Sequence, residues 1–390
     1  MARGWKAALA AGLAMLALVA QAKPFVPADD DVVLERLPEM GDPALVELKR
    51  MRAALMANPR DLDIAVPVVR RALDAARRLG DPRFLGQAQS ALAPWWQSDD
   101  APPVAILLRA TLEQSAHDFA VSLRDLDRLL AAHPQMAQAR LTRATVLTVL
   151  GRYDAARRDC ATLAGIAAPL VVIGCEAAPA SLSGDAGPAY DALMQSLAYA
   201  GADAAVREWA LTLAAEIAAR RGEPAAAERH FRAALALDPR DPYLKAAYAD
   251  FLLDRGRPRD VLPLLRDDTR NDMLLLRLAL AEQRLPDRRD AFAAHRAELA
   301  SRFDAARRRG DSMHRREEAR FRLAIGNDPR EALALARANW AVQREPADLR
   351  ILVEAARSAR DADSLALARD WIRGHHLEDA TLMAALGEPR

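Results

Sequence analysis

RGEPAAAERHFRAALALDPRDPYLKAAYADFLLDRG, from Arg221 to Gly256, carries the fold in its punctuation. Gly222 and Gly256 stand 34 residues apart, and each follows an Arg that ends an apolar, helix-spaced run. Glycine accepts the left-handed conformation that closes a helix, and cations suit a helix C-terminus. Pro224 fits the first turn of the next helix, where its missing N–H breaks no bond. That helix sets Ala227, Phe231 and Ala234 on one face, and Asp238-Pro239 stops it. The motif is a pair of short helices joined by a tight turn. Such a pair cannot bury both of its faces alone, so it must stack on a copy of itself.

The copy follows directly. Tyr248, Ala249, Leu252, Gly256, Val261 and Leu265 lie 34 residues after Ala214, Ala215, Ala218, Gly222, Ala227 and Phe231. Upstream, Ala144, Gly151, Ala156, Cys160 and Leu163 fall in the same slots. Ala110, Leu126, Leu129 and Pro134 form a unit whose turn carries His117 in place of Gly. Gly184, Ala189 and Leu193 fit another, as do Ala334, Ala338, Ala341 and Pro346, with Ala356 and Ala368 in a last one. The pattern resembles the tetratricopeptide repeat, with small residues where paired helices touch and Pro at the end. The resemblance implies an all-α protein, a right-handed α-solenoid of stacked helix-turn-helix repeats. With the leader described next, it resembles exported bacterial proteins of that family.

The chain has 390 residues, 52% hydrophobic and only 5% aromatic. Ala at helical spacing favours helices over strands. Basic and acidic residues nearly cancel, 55 against 54, and are interspersed, which leaves no basic footprint for nucleic acid. Residues 1–22 read as a signal peptide: MARGWK, the 14 apolar residues Ala7 to Ala20, then Ala20-Gln21-Ala22 before Lys23. Cleavage after Ala22 places the expected protein in the periplasm, and nothing later is apolar enough to span a bilayer. The expected organisation continues with an extended segment over 23–44, rich in Pro and acid, and a repeat array over 45–266. An off-register helical segment over 267–311 and C-terminal repeat-like helices over 312–390 complete it.

No G-x-x-x-x-G-K-[ST], G-x-G-x-x-G, G-x-S-x-G or H-E-x-x-H occurs, so no cofactor or catalytic motif is expected. In the repeat register, Cys160 sits on a second helix and Cys175 on the first helix of the next unit, about equally far from their turn. An oxidising compartment then favours a disulfide, the alternative being two buried thiols. His314 with Glu317 and Glu318 could place three ligands near one helical face, in the off-register region. Trp95-Trp96 follows a helix and precedes a turn-like run, as either a terminal plug or an exposed anchor for a partner.

In tetratricopeptide arrays the first helix of each pair lines the concave surface. Carrying that rule over, the expected groove comprises Gln138, Leu141, Thr145 and Thr148, then Trp209, Thr212 and Glu216, then Tyr243 and Asp250. These residues make it neutral to mildly acidic, without the Lys and Asn of the family's carboxylate-gripping members. The expectation is a non-catalytic scaffold binding a protein or peptide. An enzyme or metal protein centred on His314, and a self-assembling structural protein, are the alternatives.

Overall fold

The computed structural model describes residue 29 and residues 42–199, 201, 203–310 and 313–387. The leader over 1–22 lies outside these residues, as does most of the segment over 23–44. The chain divides into two compact units, Met1–Val46 and Glu47–Arg390. Among the described residues every regular element is helical.

Helix α1 is Pro43–Ala57, and α2 (Leu62–Leu79) pairs with α3 (Arg83–Ala91) before the short α4 (Ala93–Trp96). The regular stack then runs α5 (Pro103–Ser115) with α6 (Phe119–Ala132), α7 (Ala137–Val149) with α8 (Tyr153–Ala161), and α9 (Pro169–Ala180) with α10 (Ala186–Ala198). It continues with α11 (Ala204–Arg220) and α12 (Pro224–Leu237), α13 (Pro242–Asp254) and α14 (Pro258–Leu265), α15 (Asp272–Glu282) and α16 (Arg289–Arg308). The last pairs are α17 (Arg315–Ala324) with α18 (Pro329–Trp340) and α19 (Pro346–Ala359) with α20 (Ala362–His375), closed by α21 (Ala380–Leu386).

The punctuation predicted from sequence explains the pairing. Gly222 and Gly256 adopt φ of 76° and 68°. His117 holds the same left-handed conformation, φ 61°, at the turn where neighbouring units carry Gly. Asn327 and Arg360 do so in the later pairs. Between α15 and α16 no such residue occurs; a 3-10 turn, Pro286–Arg288, makes the connection. That different turn, and the 20-residue α16, account for the register lost between 267 and 311. The segment is still a helix pair packed against its neighbours.

Small residues let the helices approach. Ala214, Ala215, Ala218, Ala227, Ala234 and Ala249 are fully enclosed. Phe231 fills the space beside them, stacked on Tyr248 at 5.3 Å between ring centroids and tilted against Phe251 at 5.6 Å. Cys160 on α8 and Cys175 on α9 form a disulfide, with 5.5 Å between Cα atoms, that ties one unit to the next.

The chain also returns on itself. The Arg344 N–H donates to the Val149 carbonyl at 2.7 Å. The Trp371 ring lies so close to Gly151 that a Cβ there would sit 2.4 Å from it. Tyr153 and Leu182 belong to the apolar cluster built mainly from α18, α19 and α20. Both guanidinium arms of Arg350 on α19 reach Asp254 on α13, 96 residues earlier. The last helices therefore pack against the middle of the array.

Breaking the disulfide with the double substitution Cys160→Ala, Cys175→Ala should destabilise the fold by about 2–3 kcal/mol through the unfolded state. Urea melts of the oxidised and variant proteins measure this, and equal midpoints would show that the crosslink constrains nothing.

Candidate functional site

The first helices position the residues expected in the groove, but they meet different fates. On α7, Gln138 and Thr145 are exposed, while Leu141 and Thr148 are half-buried. The Thr145 and Thr148 hydroxyls donate to the Leu141 and Ala144 carbonyls, so this face offers mostly apolar surface and the Gln138 amide. On α11, Trp209 is half-buried against Gly174, where a Cβ would lie 2.5 Å from its ring. Thr212 is buried, its hydroxyl donating to Glu208 at 2.9 Å.

The remaining three are engaged inside the molecule. The Tyr243 hydroxyl donates to Glu216 at 2.7 Å. Asp250 accepts from Arg277 at 2.7 Å and from Arg320 at 2.6 Å. Arg320 comes from α17, which packs with α19 and α15. The charge of this lumen is therefore not the neutral-to-acidic one expected. Arg316, Arg320 and Arg350 enter from the C-terminal helices and face the acids of α11 and α13. Sequence spacing carries no signal for them, because their partners lie up to 96 residues away.

Electrostatics divides the lumen. Burial would raise the Asp250 carboxyl, but Arg277 and Arg320 outweigh it and hold the group well below the usual range. Burial likewise opposes Glu317, which Arg316 and Arg277 keep ionised. Glu216 is different: burial raises it, with Arg220 and the Tyr243 hydroxyl only partly offsetting. The Glu216 charge in turn drives the Tyr243 hydroxyl well above its ordinary value. Burial pushes Glu345 up to about 7 although Arg316 donates to it at 2.9 Å. Between these groups and α21 remains a cavity of about 610 Å³, lined also by Phe251, Ile351 and Arg220.

The other expected sites are placed as follows. Trp95 and Trp96 are half-buried, and their carbonyls accept from Arg109, which also grips Asp125 with two nitrogens. Trp96 borders a second cavity of about 530 Å³ beside Glu113, whose carboxyl is pushed up to about 7 by burial and then by Asp125. His314 caps α17, but Glu317 and Glu318 are committed to guanidinium groups, at 3.3 Å from Arg316 and 3.1 Å from Arg322. Among the described residues no three His, Cys, Asp or Glu side chains are arranged to hold a metal ion.

The tetratricopeptide-repeat family profile matches residues 182–306, about a third of the chain, covering α10 to α16. The chain is a tetratricopeptide-repeat protein, and the helix pairs on both sides of the matched stretch continue its stack. No curated protein matches it. Among solved structures, the Cut9–Hcn1 heterotetramer of the APC/C is 13% identical with a TM-score of 0.45, over 79% of this chain and 59% of that one. This chain thus spans less than two thirds of that relative. A tetratricopeptide-repeat protein from Parabacteroides merdae is 13% identical with a TM-score of 0.26, over 82% and 93%. Yeast Tom70 is 12% identical with a TM-score of 0.28, over 82% and 87%. Likeness at this level carries no argument about function.

The shift at Glu345 has a measurable consequence. Its folded value stands above the ordinary 4.5, so the native state holds the proton more tightly than the unfolded chain. Stability is fullest below pH 4.5 and falls as pH rises toward 7. The side chain is one-third open to the lumen, so the loss is on the order of 1 kcal/mol. Glu345→Gln should flatten that part of a stability–pH profile; an unchanged slope would contradict the assignment.

Proposed function

We propose that this protein is a non-catalytic scaffold that holds a polypeptide partner on its repeat array in the periplasm. The observation that carries the reading is the array itself, helix pairs stacked in tetratricopeptide fashion with the family profile matched over 182–306. Such stacks present extended side-chain surfaces built from successive first helices. The face of α7 is the part of the expected groove that stays accessible, with Gln138 and Thr145 exposed and Leu141 between them. An extended or helical segment laid there would find apolar contact and an amide for orientation. At α11 and α13 the chain's own C-terminal helices occupy the equivalent surface, which confines a partner to the α7 side.

Two sequence features support the location. The apolar run Ala7 to Ala20 followed by Ala20-Gln21-Ala22 supports export and cleavage. A disulfide between adjacent units suits an oxidising compartment. The protein recovered from the envelope fraction should begin at Lys23, and a mass that retains the leader would refute export with cleavage.

The surface is tested with a photo-crosslinking amino acid at Gln138 or Thr145, in cells. A specific protein adduct at these positions, and none at the exposed Arg266, is expected. Equal labelling at all three, or none at any, would remove α7 as the partner surface. An adduct with a second copy of the chain would point to self-assembly instead.

A further inference from the structure

Arg220, the last residue of α11, stands apart from the other cations of the lumen cavity. Its Nη2 donates to the Ser181 hydroxyl at 2.9 Å, and it has no carboxylate partner among the described residues. Its Nε is buried and has no acceptor. The neighbouring guanidinium groups are all spent. Arg277 and Arg320 hold Asp250, Arg316 holds Glu317 and Glu345, and Arg350 holds Asp254 and Glu354. Asp379, the acid that α21 brings to the cavity, accepts instead from the N–H groups of Thr381 and Leu382. Burial raises it toward its neutral form, which leaves the Arg220 charge without compensation.

A buried donor with no acceptor and a cation with no counter-charge are each unfavourable unless something else supplies the oxygen. The cavity has room for it: about 610 Å³, within the range of small-molecule sites, roughly 300–1,000 Å³. Ala247, Phe251 and Ile351 give it an apolar wall, and Arg255, exposed at the cap of α13, adds a second cation to its lining. The fork of an Arg matches two oxygens of a carboxylate or phosphate. We propose that the lumen binds a small organic anion, its carboxylate or phosphate oxygens taken by Nε and Nη of Arg220 and its apolar body laid against Phe251 and Ile351. This site is distinct from the polypeptide surface on α7 and does not depend on it.

Calorimetric titration of the full chain at fixed ionic strength tests the assignment. The probes are benzoate, phenyl phosphate, inorganic phosphate and, as a neutral control, benzamide. Saturable binding of benzoate or phenyl phosphate is expected, with none for benzamide. Whichever of the two binds more tightly names the headgroup. Arg220→Gln should weaken that binding by about tenfold or more, and Arg220→Lys, which keeps charge but loses the fork, by less. Should the Gln variant not fold, the Lys variant and the benzamide control decide. No binding of either organic anion up to about 10 mM would overturn the proposal, as would undiminished affinity in the folded Gln or Lys variant. Inorganic phosphate binding as tightly as phenyl phosphate would overturn the apolar part of the site.

Discussion

A two-helix hairpin of about 34 residues has more apolar face than it can bury by itself, and the rest of this structure follows from that constraint. Each pair covers one face with its own partner helix and the other with the next pair. Ala at the contacts brings the axes close, while Phe231, Tyr248 and Phe251 fill the wider gaps. The disulfide between α8 and α9 crosses one of these junctions and ties two units covalently. At the C-terminal end the same need is met differently: α18 to α20 share an apolar cluster with Tyr153 and Leu182 from the middle of the array.

That return brings charged side chains into a confined lumen. Removing an ion from water is costly, and a buried pair breaks even only when geometry and extra hydrogen bonds are good. The lumen meets this requirement with Arg, whose fork engages carboxylates through two nitrogens. Arg350 grips both oxygens of Asp254, and Asp250 is shared between Arg277 and Arg320. Acids without a full guanidinium partner, Glu216 and Glu345, respond instead by favouring their neutral forms. The first helices of α11 and α13 thus serve as an internal seat for the chain's own end. On α7 the corresponding side chains stay accessible, which is why partner binding is assigned there.

The repeat was legible because its signals are local. Gly222, Gly256, Pro224 and the Ala positions each act within one turn of helix, and even His117 could be placed by phase alone. The Cys160–Cys175 pairing was legible for the same reason, since both residues flank one turn. The register between 267 and 311 was not, because the α15–α16 connection uses a 3-10 turn without a left-handed residue. The site was only partly readable. Positions such as Glu216, Tyr243 and Asp250 could be assigned to first-helix faces, but not the helices that meet them. Arg316, Arg320 and Arg350 reach them only through the curvature accumulated over several units, which no local spacing records.

The account stands or falls on the closure of the C-terminal helices onto the array. A double-mutant cycle on Asp254→Ala and Arg350→Ala, read by urea unfolding of the full chain, measures it directly. Direct contact across 96 residues predicts a coupling of about 1–2 kcal/mol between the two substitutions. Strict additivity, within about 0.3 kcal/mol, would mean that α19 does not meet α13 and that the lumen is open.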